Sequence, residues 1–123
     1  MRKLVHSVKC ALQGIIYLIR TQRNAQFHIF SSCVAIGFGI WLNISFTEWA
    51  IVSICITAVL GAEAFNTSIE KICDTLHPEI HPKIKTVKDV SAGAVLIISL
   101  GALAVGLIIY LPKFLHLIHE NFV

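Results

Sequence analysis

The sequence predicts an all-α membrane fold, with an N-terminal amphipathic surface helix over about 3–21 and three transmembrane helices over about 25–43, 48–75 and 88–111. Composition is the first support. Apolar residues make up 56% of the 123 and charged residues only 14%, too apolar for an ordinary soluble domain, and the chain is too short for several domains. The second is the distribution of charge: Asn24 to Thr47, Trp49 to Ala62 and Val90 to Pro112 contain no Asp, Glu, Lys or Arg. Each run, the middle one extended by the residues that follow it, is long enough for a spanning helix. The third is the placement of cations. Arg2, Lys3, Lys9, Arg20, Arg23, Lys71, Lys83, Lys85 and Lys88 fall on one side of a three-span topology and only Lys113 on the other, which makes the first side cytoplasmic.

Residues 3 to 20 place Leu4, Val5, Val8, Leu12, Ile15, Ile16 and Ile19 on one helical face and His6, Lys9, Gln13, Tyr17 and Arg20 on the other, as in a helix lying in a membrane surface. No cleavable signal peptide is expected, because polar residues interrupt this stretch and no small-residue cleavage site follows. A polar joint, Thr21-Gln22-Arg23-Asn24, turns the chain into the first span. After a short turn at 43–47, Thr47 is the expected N-cap of the second span, with Glu48 and Trp49 behind it. The first two spans then form an antiparallel hairpin. Ser53, Thr57 and Gly61, with Ala58 and Ala62, form small-residue stripes suited to helix contact in lipid. His77-Pro78 and His81-Pro82 end that helix, and Thr75 to Val87 is expected to be an exposed basic loop. The third span is expected to end near Pro112. Cys10, Cys33, Cys55 and Cys73 have no C-x-x-C spacing, so reduced, packed thiols are expected.

The chemistry gathers in Glu63-Ala64-Phe65-Asn66-Thr67-Ser68-Ile69-Glu70, continued to Asp74. Fourteen uncharged residues precede Glu63, and at about 1.5 Å each they reach roughly 21 Å into an apolar core of roughly 30 Å. Glu63 therefore lies at the inner edge of the membrane. Spacings of three, four and four put Glu63, Asn66, Glu70 and Asp74 on one helical face. Ionisable groups in a spanning segment cost about 3 kcal/mol at mid-membrane and mark function or a bundle-interior contact. Glu70 and Asp74, like charges one turn apart near a helix C-terminus, call for a cation, and a divalent metal would supply it.

A phosphoryl transfer fits this set, since it needs a metal, cations for the phosphates and a base at the acceptor hydroxyl. Glu70 is the candidate Mg²⁺ ligand with Asn66 beside it, Lys88 and Lys85 balance phosphate charge, and burial makes Glu63 the better proton acceptor. The acidic face and the basic segment share the compartment that holds ATP. No G-x-x-x-x-G-K-[ST] or Gly-rich kinase loop is present, which excludes a P-loop enzyme and a protein-kinase relative. His77 with His81, and His116 with His119, have metal-compatible spacings that base rates make incidental. A different class of reading is a non-catalytic oligomeric membrane protein, a pore-former or assembly subunit, whose buried carboxylates merely join helices.

The pattern from Glu63 to Glu70 and Asp74, with Lys88-Asp89-Val90-Ser91-Ala92-Gly93-Ala94-Val95 beginning fourteen positions after Asp74, resembles the bacterial integral-membrane diacylglycerol kinase family, which includes undecaprenol kinases. The likeness runs over nearly the whole chain. It implies one membrane-embedded lipid kinase domain over 1–123, a homotrimer in the bacterial inner (plasma) membrane, and ATP and Mg²⁺ used to phosphorylate a lipid alcohol at the cytoplasmic face. The alcohol is diacylglycerol or undecaprenol, and no nucleic-acid partner is expected. By position, the resemblance makes Glu63 the catalytic base, Glu70 the metal ligand and Asn66 its neighbour. It assigns Glu79, His81, Lys88 and Asp89, with Asp74, to the nucleotide side. Many family members carry a second metal-binding glutamate before the first span. This chain has Gln22 there, a metal position without its charge. Pro82 after His81 and the Ala92-Gly93-Ala94-Val95 run look more like the undecaprenol-kinase branch.

Overall fold

The computed structural model describes residues 1–79 and 81–122, the last two by their backbone alone. Four helices follow one another: α1 (Arg2–Thr21), α2 (Arg23–Trp41), α3 (Phe46–Leu76) and α4 (Pro82–Phe122). At about 1.5 Å per residue α3 is roughly 46 Å long and α4 roughly 61 Å. Both are long enough to cross a membrane, and the most apolar 18-residue stretch of each has a mean hydropathy of 1.6 and 2.7 respectively. Large apolar side chains such as Phe65, Ile97 and Ile108 face outward along them, which suits lipid as the surrounding medium.

α1 is the amphipathic helix expected; Leu18 is its buried residue, and the apolar stripe from Leu4 to Ile19 stays exposed. The four-residue joint contracts to one extended residue, Gln22 (φ −106°, ψ 115°), because α2 begins at once at Arg23. The Gln26 side chain bridges the break by donating to the Ile19 carbonyl at 3.0 Å, meeting one of the free carbonyls that end α1.

Between α2 and α3 the chain reverses in a Schellman motif. Asn43 adopts the left-handed conformation (φ 48°), while Ile44 N–H reaches the Gly39 carbonyl (3.1 Å) and Asn43 N–H the Ile40 carbonyl (3.3 Å). Asparagine is among the few non-glycine residues that adopt this backbone readily. The start of α3 corrects the expectation for Thr47. Ser45 is the N-cap and forms a capping box with Glu48, whose backbone N–H donates to Ser45 Oγ (3.3 Å) while its carboxylate accepts from Ser45 N–H (2.6 Å). The three-residue spacing of Ser45 and Glu48 permits this reciprocal pair, and it leaves Thr47 inside the first turn.

The basic loop is also shorter than expected. α3 ends at Leu76, where Pro78 bars its continuation, but Pro82 opens α4 rather than breaking a helix, since a proline in the first turn loses no intrahelical bond. His81 Nδ1 accepts from Lys83 N–H at 3.2 Å in the manner of an N-cap. Lys83, Lys85 and Lys88 consequently stand on the first turns of α4. At the far end, Pro112 lies within α4, which runs on to Phe122. Two contacts hold those last turns despite the lost backbone bond: Lys113 pairs with Glu48 at 3.3 Å, and Leu117 packs against the cluster of Leu42, Ile44, Val52 and Ile109.

The antiparallel α3–α4 pair is the main packing interface of the fold. Ion pairs near its two ends fix its register: Lys113 with Glu48 at one, and Lys88 with Asp74 (2.8 Å) at the other. The two position numbers add to 161 for the first pair and 162 for the second, so helices of equal rise stay in step between them. α2 joins near the Glu48 end, where Tyr110 Oη donates to the Ala35 carbonyl at 2.9 Å. There Gly39 lies so close to the next helix that an added Cβ would come within 2.8 Å of the Trp49 ring and 3.1 Å of Ile44 Cδ1. Gly39→Ala is therefore expected to destabilise the protein by about 1–3 kcal/mol, seen as unfolding at lower denaturant, whereas Asn43→Gly, which suits the left-handed turn, is expected to be neutral.

Candidate functional site

Burial along the α3 face falls toward its C-terminus. Glu63 is 2% exposed and Asn66 4%, Glu70 is half-buried and Asp74 exposed. The helical spacing read from the sequence is met, and the face turns inward onto α4. Asn66 Nδ2 donates to Glu70 Oε1 at 3.5 Å, a long bond that holds the amide near the carboxylate. Lys88 Nζ donates to Asp74 Oδ1 at 2.8 Å across the seam. This pair is partly exposed, so it serves register more than stability.

The other predicted residues lie around this seam. Asp89 pairs with Lys85 on the same helix. Glu79 is exposed in the α3–α4 connection, and His81 there is engaged in capping α4. His77 and His81 have ring centroids 6.4 Å apart. Gln22 is half-buried and directs its amide N–H to Thr21 Oγ1 at 3.1 Å rather than to a carboxylate. What ties this part of the chain to α3 is Lys71, whose ammonium sits 6.0 Å from the centre of the Tyr17 ring. The structure thus joins Glu63, Asn66, Glu70, Asp74 and Lys88 in one seam. It does not join Gln22, Glu79 or Asp89 to it by any hydrogen bond or ion pair among the described residues.

Three residues that sequence reasoning passed over belong to the same seam. Thr67 Oγ1, Ser91 Oγ and Ser99 Oγ are buried without a hydrogen-bond partner, as are Glu63 Oε2 and Asn66 Oδ1. An unsatisfied buried polar group costs about 1–3 kcal/mol, so five together rival a typical folding stability of roughly 5–15 kcal/mol. A seam with that many idle polar atoms is suited to receive polar guests. The signal for Ser91 and Ser99 was present in the sequence, since with Lys88, Val95 and Ala102 they follow the three-and-four spacing of one α4 face.

Among the described residues no three His, Cys, Asp or Glu side chains converge as a metal cluster. The donors present nevertheless fit a magnesium ion, which takes only one or two protein carboxylates and draws its other ligands from phosphate and water. Glu70, with the unpartnered Asn66 Oδ1 one turn away, is that kind of partial shell.

The model for prokaryotic diacylglycerol kinase matches residues 9–110. The chain belongs to the prokaryotic diacylglycerol kinase family. The match takes in the whole seam from Glu63 to Ser99 and stops short of Pro112, so the last turns of α4 lie beyond it. Undecaprenol kinase of Bacillus subtilis is 37% identical over 101 residues, covering 82% of each chain. Diacylglycerol kinase of Synechocystis is 32% identical over 115 residues, covering 93% of this chain and 66% of the relative. No solved structure matches significantly. Family membership and the outward apolar faces of α3 and α4 together mark a membrane protein.

A buried carboxylate oxygen without a partner is a cost to the fold. Glu63→Met, similar in size and apolar, is expected to raise stability by about 1–3 kcal/mol, read as resistance to unfolding in denaturing detergent. Glu63→Met unfolding earlier than the wild type would mean that the carboxylate is satisfied within the folded chain.

Proposed function

We propose that this protein is a membrane lipid kinase that transfers the γ-phosphoryl group of ATP to the hydroxyl of a lipid alcohol at the cytoplasmic face of the plasma membrane. The observation that carries the reading is the pairing of a sealed Glu63 with a shallower Glu70 on one face, seven residues or about 10 Å apart along the axis. Depth divides their work. The hydroxyl of a membrane lipid lies near headgroup level and meets Glu63, which takes its proton as the oxygen attacks phosphorus. Water is kept from that step by the α4 wall, of which Val95 is a buried part.

Glu70 and Asn66 would hold Mg²⁺, which neutralises phosphate charge when bound. Lys88 faces the same end of the seam, and its ammonium, already paired with Asp74, orients toward a polyphosphate. His81, Glu79 and Asp89 lie near that end and are assigned to the nucleotide. Gln22 contributes an uncharged donor or acceptor at most, so the metal site depends on Glu70. With α2 as a third span, α1 rests on the inner surface, its free apolar stripe in the headgroup region and its lysines toward the lipid phosphates. The single domain works as a homotrimer, whose neighbours cover the exposed apolar sides of α3 and α4.

Two observations favour an undecaprenol-type acceptor over diacylglycerol: the Pro82 and Ala92-Gly93-Ala94-Val95 features, and the greater identity to the Bacillus kinase. The test is phosphoryl transfer from labelled ATP in lipid–detergent micelles, with undecaprenol and diacylglycerol offered side by side. Label is expected in undecaprenol phosphate first. Glu63→Gln and Glu70→Ala are expected to lower turnover by at least about a thousandfold while eluting at the same assembled size. Wild-type turnover in either variant would reject its assigned role, and transfer to neither lipid would reject the function.

A further inference from the structure

Many hydroxyls on these helices follow a pattern, and Ser99, like Thr67 and Ser91, departs from it. Seven of them, Ser32, Ser68 and Thr75 among them, donate to the carbonyl one turn earlier in their own helix. That local bond is the usual outlet for a serine or threonine within a helix. Ser99 Oγ makes no such bond and is shut off from solvent. It is a spare donor in a site where an idle donor is costly.

The register of α3 on α4 says what faces it. With position numbers adding to 161 or 162 at the two bracketing ion pairs, the residue across from Glu63 is 98 or 99. Ser99 is the one of the two on the seam side: it is half-buried, as Ile98 is not. Its neighbours along that face, Val95 and Ala102, are apolar, so Ser99 supplies the α4 hydroxyl at this depth. Of the two Glu63 oxygens, only Oε2 is both sealed and unpartnered. A cavity of about 700 Å³ lined largely by apolar residues of α2, α3 and α4 includes Val59 and Ser99 in its wall, and Val59 is one turn from Glu63. The apolar space therefore reaches Ser99 on α4 and Val59, one turn before Glu63, on α3.

We propose that Ser99 is a positioning residue for Glu63. Its hydroxyl donates across the seam to Glu63 Oε2 as the site fills, fixes the plane of the carboxylate, and leaves Oε1 to face the acceptor hydroxyl. Ser99 keeps its proton throughout; the proton of the alcohol passes to Oε1. A charge-assisted bond of this kind is short and directional, and holding a base in line with its proton is a large part of what a site contributes to rate. The proposal rests on Glu63 being the base, and it adds the group that aims it.

The test uses the intact protein in lipid–detergent micelles, with kcat and KM measured for both substrates in Ser99→Ala and Ser99→Thr, and infrared spectra of the Glu63 carboxyl. Its band is assigned as the one lost in Glu63→Gln. Ser99→Ala is expected to lower kcat about ten- to hundredfold with both KM values unchanged, and to shift the Glu63 band. Ser99→Thr, which keeps the hydroxyl, is expected to recover most of the rate and the band position. A Ser99→Ala protein with wild-type kcat and an unshifted band overturns the proposal. So do Ala and Thr variants equally slow with the band unmoved, since packing alone would explain them. Should Glu63→Gln itself turn over normally, the base assignment fails. An inactive Glu63→Gln beside a fully active Ser99→Ala removes only the role given to Ser99.

Discussion

The α3–α4 seam is the constraint from which the rest follows. Two long helices pack antiparallel with polar groups between them, and an ion pair near each end keeps them in step. Packing by apolar side chains alone specifies position loosely in a lipid environment, because lipid tails compete on nearly equal terms with leucine and valine. Asp74 with Lys88 and Glu48 with Lys113 add what the apolar residues lack, a preference for one register. A slip of one or more turns would part both pairs and bring other residues of α4 opposite the acidic face.

That register brings together groups that no helix would place in contact by itself. Along α3 the carboxylates and the amide form a graded series from sealed to exposed, and α4 answers with hydroxyls at depth and a lysine at the surface. The gradient matters chemically. A lipid hydroxyl and a nucleotide reach a membrane enzyme from different depths, and a site that serves both has to extend along the membrane normal. In the proposed function a single helical face would do this with one residue per turn. The cost falls on the fold, in which five buried side-chain polar atoms have no partner among the described residues. Strain of this sort at a working site is expected when stability is given up for binding.

The two ends of the bundle are closed in different ways. The end at Glu48 is closed by local devices that satisfy every rule of helix termination: a Schellman turn at Asn43, a capping box at Ser45, a glycine where Trp49 packs against α2, and the Leu42, Ile44, Val52 and Ile109 cluster. The end at Asp74 is charged instead, with Lys88 paired to Asp74 and Lys85 to Asp89. Lysines crowd the first turns of α4, where the helix dipole does not favour them, and α1 is held to α3 through Lys71 and Tyr17.

Sequence by itself determined the helical class, the amphipathic α1, the apolar α3 and α4, and the shared face of Glu63, Asn66, Glu70 and Asp74, because periodicity and charge are local properties. It also carried the family, through a motif whose residues are close together on the chain. Termini were less legible. Thr47 and Ser45 compete as caps, Pro82 and Pro112 can each break or join a helix, and the winner depends on partners such as Glu48 and Leu117. Only the tertiary structure decided that Asp74 takes Lys88 while Asp89 takes Lys85, and that Ser99 Oγ is buried without a partner. The physical reason is that the register of two helices is set by the sum of contacts between them, and no residue's own neighbourhood in the chain encodes that sum.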